Sequence, residues 1–342
     1  MNEGATSEPA GSNRKSGRKL LLRFAAVVAL VSAALVLLGR GGSGTLDVTR
    51  VSLAIVTTFS LMIGAIVIAG WRLSVLAGGK IGIRDGIAVN AVSQLIVLIV
   101  PSRISEAAKP IGLNLSCGIP LASGFAILAI ERILDAVFLA GIGLAVVAVL
   151  SGPYSDILRS SSLVLAVFAG VGVLGIAVLL ARPVRLGRLI GRIPVVWLRR
   201  HADHVLEAFS HLANPGSTGL AVGLTAMTWI ASYLIFFMFF LVLGIGDLSS
   251  GQILVVFVAS TLGLIVSVAP GGLGTFEAAI ALSLTGFGVP MASAVAIALL
   301  LRLCLIIPVV AAAGWYLFSS NLNLPRILER LRDWRASDEP GE

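Results

Sequence analysis

Apolar residues fall into long uninterrupted runs separated by short polar stretches, rather than alternating as in a half-buried strand. Six runs are long enough to cross a bilayer: Leu20 to Leu38, Val51 to Trp71, Ile119 to Leu150, Ser162 to Ala181, Gly219 to Leu243 and Pro290 to Phe318. A helix rising about 1.5 Å per residue needs about 20 residues for a hydrocarbon core of about 30 Å, so each run predicts a transmembrane helix. Two shorter runs, Gly86 to Val100 and Ile253 to Ala269, end in proline-bearing breaks, Pro101-Ser-Arg-Ile-Ser-Glu106 and Pro270-Gly-Gly-Leu-Gly-Thr-Phe-Glu277. The expected fold is an all-α polytopic membrane bundle over 20–318. A disordered cytoplasmic tail precedes it at 1–19, a basic cytoplasmic loop interrupts it at 182–216, and a tail follows at 319–342. A cleaved signal peptide is the competing reading of the first run, but its length and the following RGGSGT favour a retained helix.

Composition removes the soluble alternatives. Of 342 residues 57% are hydrophobic and only 12% are charged, and the mean hydropathy is +1.02. A soluble enzyme and a nucleic-acid binder are both excluded. The net charge of +8 instead reports orientation, because basic residues gather in cytoplasmic loops. Cys117 and Cys304 lie in apolar sequence and read as packing residues. His201, His204 and His211 sit in the basic loop without suitably spaced carboxylates, so no metal is expected. No Walker, GxSxG or HExxH element is present, and no cofactor is implied.

If all eight apolar stretches cross, the loop carrying Arg182, Arg185, Arg188, Arg192, Arg199 and Arg200 falls outside, and basic residues divide as 13 inside against 8 outside. If the two short stretches dip in and return, the division becomes 18 against 3, with Arg72, Lys80 and Arg84 counted in one inner loop. That arrangement puts both termini in the cytoplasm of a cell whose inner (plasma) membrane holds the chain. It leaves Arg103, Lys109, Arg132 and Arg302 at membrane depth.

The chain also repeats itself. Gly118 to Arg132 aligns without gaps to Gly288 to Arg302, with seven of 15 positions identical, and Pro101 and Glu106 precede one copy much as Pro270 and Glu277 precede the other. Repeat elements at about 86–150 and 253–318 would then have opposite orientation, each with a re-entrant half-helix hairpin, an architecture in which two halves can rock around a central site.

The segments PSRISEAAKP, ERILDAVFL, PGGLGTFEAAI and LLRLCLIIP together resemble the lysylphosphatidylglycerol synthase transmembrane-region family, the flippase-like domain. The resemblance implies a membrane lipid or lipid-linked substrate. Members with a fused aminoacyl-transferase domain add lysine to phosphatidylglycerol; the 24 residues after Phe318 leave no room for one, so this chain is expected to move lipid rather than aminoacylate it. Other stand-alone members are similar to partners in polyisoprenoid-linked pathways. That leaves two alternatives to a translocase, an integral-membrane transferase with a polyprenyl-phosphate donor and an accessory subunit of a separate synthase or glycosyltransferase.

Charges inside a membrane are costly enough to mark function or pairing. Arg132 and Arg302 hold matching positions, and a planar guanidinium suits a phosphate diester. The opposing reading pairs each with an acid merely to fasten helices. Arg103 and Glu106 share a face if a short helix follows Pro101 with Ser102 as cap. Gly271, Gly272 and Gly274 permit close backbone approach and would leave N–H groups free for an anion ahead of Glu277. Glu131 and Asp135 share a face, lack counterparts in the second repeat and are candidates for proton coupling.

This topology makes a direct prediction. In a Cys-free background, single cysteines at Ser249 and Ser155 label from outside with a membrane-impermeant thiol reagent, and those at Ser217 and Ser337 do not. Labelling of Ser217 from outside would reject the inverted arrangement.

Overall fold

The computed structural model describes residues 48–100, 103–149, 163–164, 166–167, 169–175, 205–207, 209–210, 213–245, 248–267, 269–319 and 324–338. The chain divides into two units, 1–47 and 48–342. The first unit, with the expected tail and the run Leu20 to Leu38, lies outside the described residues, as do the six loop arginines and all three histidines.

Among the described residues the regular structure is helical. The first half runs α1 (Val48–Leu76), α2 (Ile83–Ile99), a 3-10 turn (Arg103–Ala107), α3 (Ala108–Cys117) and α4 (Leu121–Val149). The second runs α5 (Pro215–Leu243), α6 (Ser250–Val266), a 3-10 turn (Pro270–Gly272), α7 (Thr275–Gly286) and α8 (Met291–Ser319). A final helix, α9, spans Leu324–Asp338. Both halves therefore read as a 29-residue helix, a 17-residue helix, a break, a short helix and a second 29-residue helix. The same order of helix lengths thus extends beyond the 15 aligned residues, with α1 and α5 opening the two series. Three helices, at Thr49–Leu76, Pro215–Leu243 and Met291–Ser319, are long and apolar enough to cross a membrane. Helix α4 matches them in length but carries Glu131, Arg132 and Asp135 at its middle. Helices α3 and α7, 10 and 12 residues long, reach only about 15 and 18 Å at the α-helical rise and are too short to cross alone.

Local chemistry explains why the aligned stretch repeats. Each short helix ends at a left-handed glycine, Gly118 at φ 68° and Gly288 at φ 89°, a conformation glycine adopts without steric cost. Pro120 and Pro290 then start the long helices, their carbonyls accepting from Gly124 N and Ala294 N, both at 2.9 Å.

The packing is exchanged between the halves. Helix α2 lies on α8 and α6 on α4, α1 on α8 and α5 on α4, while α3 packs on α2 and α4 as α7 packs on α6 and α8. Helices α1 and α5 lie against one another and run antiparallel. The Arg50 guanidinium near the start of α1 abuts Gly244 at the end of α5, and Arg72 near the end of α1 reaches Thr225 near the start of α5.

The two α1–α2 and α5–α6 contacts differ in kind. Gly70 and Gly86 let α1 and α2 touch backbone to backbone, since a Cβ on Gly86 would strike the Gly70 carbonyl and one on Gly70 would stand 2.6 Å from Ile87 N. Such small-residue seams are how helices approach closely in lipid. In the α5–α6 contact, rings interlock instead, with Phe236 and Phe257 edge to face at 5.2 Å and Trp229 6.0 Å from Phe257.

Helix α9 carries an apolar stripe along one side. Its Ile327 and Leu331 are buried in the protein core with Ala107, Ala108 and Ile111, so this face is occupied by the first break.

Gly70→Ala and Gly86→Ala should each destabilise the protein by about 1–3 kcal/mol, the usual range for overpacking, whereas Gly141→Ala, where a Cβ meets nothing within 4 Å, should not. Thermal unfolding in detergent checks this.

Candidate functional site

Among the described residues three groups of charged side chains join the long helices and the breaks. The largest is buried between α1, α3, α4 and α5. Arg72 Nη2 donates to Glu131 Oε1 at 2.6 Å and Nη1 to Asp135 Oδ1 at 2.6 Å. Lys109 Nζ donates to both Glu131 oxygens at 2.8 and 2.9 Å. Thr225 Oγ1 lies 3.4 Å from Arg72 Nη1 and donates to the Ala221 carbonyl at 2.8 Å. Arg72 Nε is buried without a hydrogen-bond partner. Two cations and two carboxylates leave this cluster neutral.

The other two groups are equivalent in the repeats. Arg132 pairs with Glu106 at 3.3 Å, and Arg302 pairs with Glu277 at 3.4 Å. Their surroundings differ sharply. The Arg132 and Glu106 side chains are 49% and 46% exposed, against 9% and 13% for Arg302 and Glu277. Arg302 also donates through Nη2 to the Gly271 carbonyl and lies over the Phe276 ring, 4.8 Å from its centroid. Its Nε and Glu277 Oε1 stand within ion-pair range but lack hydrogen-bond geometry. Arg302 thus ties the second break to α8.

The glycines of that break have the backbone their type allows: φ is 58° at Gly271, 75° at Gly272 and 89° at Gly274. A Cβ on Gly271 would also stand 3.3 Å from Arg302 Nη2 and 3.0 Å from Leu98 Cδ2. The amides are not all free, as the sequence suggests. Gly274 N donates to Glu277 Oε2 at 2.7 Å and Gly272 N to the Ala269 carbonyl at 3.0 Å. Glu277 itself takes the place of an external anion at the start of α7.

Arg132 and Glu106 therefore meet, as do Arg302, Glu277 and Gly271, while Glu131 and Asp135 face a different cluster. Arg103 opens the first 3-10 turn; its side chain, and Pro101 and Ser102, lie outside the described residues. Arg72 corrects the sequence reading. It is a buried residue of α1 rather than a loop residue, because α1 continues through Leu73, Val75 and Leu76 beyond the apolar run. Removing Arg72 from the inner tally of 18 leaves 17 against 3. Sequence reasoning gave Arg72 and Lys109 no role. The signal was available, since Glu131 and Asp135 share a face from which Arg132 points about 100° away, and two such acids need cations from elsewhere.

A cavity of about 340 Å³ lies elsewhere, between α3, α4 and α9, lined by Ile111, Asn114, Leu115, Leu121, Phe125, Arg330 and Asp333. None of the paired residues lines it.

Long apolar helices, two interrupted hairpins and ion pairs among the helices define an all-α membrane protein. The chain belongs to the family described as the lysylphosphatidylglycerol synthase TM region, whose model matches residues 20–313. That membership places it among membrane proteins of lipid modification or translocation, with membrane lipid as the substrate class. Neither the curated proteins nor the solved structures contain a significant match to the chain.

With the helix starts Val48 and Pro215 matched for Arg72, Glu106 and Glu277 for Lys109, and Gly118 and Gly288 for Glu131 and Asp135, the second-half counterparts are Phe239, Ile280, Leu301 and Leu305. Arg72→Leu alone strands a buried carboxylate and should cost about 3–5 kcal/mol. The quadruple variant Arg72→Phe, Lys109→Ile, Glu131→Leu, Asp135→Leu should recover most of that stability, measured by unfolding in detergent.

Proposed function

We propose that the protein moves a phospholipid or lipid-linked phosphate headgroup across the bilayer, with Arg132 and Arg302 as alternate phosphate ligands. The observation that carries this reading is one ion pair present twice, half exposed at Arg132–Glu106 and buried at Arg302–Glu277. A device that opens one of two equivalent sites at a time should look like this in either end state. The antiparallel course of α1 and α5 and the exchanged packing of the halves support an inverted repeat. In such a repeat the two breaks serve opposite membrane faces, both termini being cytoplasmic.

The chemistry follows from competition. A phosphate diester offers the guanidinium of Arg132 the same charge-assisted bonds that Glu106 offers, so an incoming headgroup displaces the carboxylate. Glu106, already half exposed, is then hydrated in the opening. When the second site opens, Arg302 exchanges Glu277 and the Gly271 carbonyl for the headgroup, and closure returns each glutamate to its arginine. Ligands that bind one arrangement better than the other shift the balance between them.

The test is translocation of an acyl-labelled anionic phospholipid in proteoliposomes, read by quenching from one side. Arg132→Ala and Arg302→Ala should each reduce the rate at least about tenfold, a loss of about 1.4 kcal/mol in barrier terms, with insertion and monodispersity unchanged. Normal rates in both variants would reject the phosphate role. Formation of a new lipid product by the purified protein would instead favour a transferase.

A further inference from the structure

We propose that the cavity between α3, α4 and α9 is a binding site for one phospholipid whose headgroup carries a phosphate and a primary ammonium, the phosphoethanolamine class. The site is separate from the arginine–glutamate pairs and does not depend on the translocation reading.

The lining comes from one face of each helix. Ile111, Asn114 and Leu115 lie three and four residues apart on α3, Leu121 and Phe125 four apart on α4, and Arg330 and Asp333 three apart on α9. Those spacings set side chains next to one another on a helix surface. Asn114 is one turn before the left-handed Gly118, and Leu121 is three residues after it, so the cavity sits beside the turn that joins α3 to α4. Helix α9 brings Arg330 and Asp333 to that turn, both exposed, and exposed charges belong at the water boundary rather than in hydrocarbon. Leu115, Leu121 and Phe125 are exposed as well, at 38%, 36% and 36%. An acyl chain laid along them removes apolar surface from water on both sides of the contact. The volume of about 340 Å³ falls within the usual range of small-molecule sites, about 300–1,000 Å³.

The polar side selects the headgroup. Arg330 and Asp333 form no ion pair among the described residues, with each other or with any third group. Asn114 Nδ2 donates to the Ile119 carbonyl at 2.9 Å, which leaves its side-chain oxygen as an acceptor. The cavity therefore offers one guanidinium, one carboxylate and one amide oxygen. A phosphate diester takes the guanidinium. A primary ammonium, with three N–H donors, satisfies the carboxylate and the amide oxygen together. Positions three apart on a helix stand about 5–6 Å apart at Cβ, a spacing that suits an ammonium two carbons from the phosphate oxygen. A glycerol headgroup would set its phosphate near Asp333 with no cation between them. A trimethylammonium has the charge but no N–H for Asn114 to accept.

A lipid held in this way touches α3, α4 and α9 at once. Ile111 lines the cavity and also packs in the core with Ile327 and Leu331 of α9, so occupancy adds to the contact that fastens α9 to the first break.

The experiment uses the full chain in detergent with dioleoyl phosphatidylethanolamine, phosphatidylglycerol or phosphatidylcholine, and reads bound lipid by native mass spectrometry and stability by thermal unfolding. The ethanolamine lipid should bind about tenfold more tightly than either of the others, as one additional charge-assisted bond implies. The unfolding temperature should rise with its concentration as mass action requires. Arg330→Gln should weaken its binding about tenfold. Asp333→Asn should erase its advantage over the other two lipids, and Asp333→Glu should keep it. Leu121→Trp fills the apolar part and should weaken binding of the ethanolamine lipid, with circular dichroism unchanged in every variant. Glycerophosphoethanolamine, which lacks acyl chains, should not stabilise the protein at concentrations where the lipid does. Equal affinity for the three lipids, tighter binding of the glycerol or choline lipid, or an ethanolamine preference surviving in Asp333→Asn would overturn the headgroup assignment. Binding indifferent to Leu121→Trp would overturn the cavity as its place, and stabilisation by glycerophosphoethanolamine equal to that by the lipid would overturn a lipid as the occupant.

Discussion

Removing a guanidinium or a carboxylate from water costs several kcal/mol, and the cost is offset only by close opposite charge and saturated hydrogen bonding. In this protein that requirement decides which helices must stay together. Arg72 on α1 and Lys109 on α3 converge on Glu131 of α4, so one carboxylate holds the α3–α4 hairpin to α1. Arg302 repeats the device with different partners, joining α8 to the second break through Glu277 and the Gly271 carbonyl. The apolar surface of these helices has no comparable directional preference, since lipid tails are as apolar as Leu and Val.

The two halves share an architecture and differ in how they fill it. The hairpin, the left-handed glycine before the long helix and the arginine twelve residues beyond the proline are common to both. Around that frame the first half uses a glycine seam and a neutral ionic cluster, whereas the second uses interlocked aromatic rings and buried aliphatic residues. The common parts include the arginine–glutamate pair that each break forms with its long helix. The parts that differ set how firmly each half is assembled.

Much of this was legible in the sequence, because membrane thickness imposes a length on apolar runs that composition alone exposes. The breaks after α2 and α6 follow from proline and glycine, residue types with special backbone demands. What escaped was the end of α1. Hydropathy falls at Arg72, yet the helix continues, since backbone hydrogen bonding does not stop at a charge whose partner lies on another helix. In PGGLG the Gly274 amide, expected to stand free ahead of Glu277, is engaged instead. A glutamate three residues into a helix can bond back to the amide at its own N-terminus, and Glu277 does so. The equal lengths of α1 and α5 were equally hidden, because helices facing lipid can keep their length while their apolar residues interchange freely.

The docking of α9 on the first break has a mechanical consequence. Ile327 and Leu331 are buried against the segment that begins with the turn carrying Glu106, so that turn cannot shift without dragging α9 along or baring those two side chains. Exposing each would require about 1.5–3 kcal/mol of work. The C-terminal helix therefore acts as a load on the first hairpin, and a force applied to it is transmitted to the turn that carries Glu106.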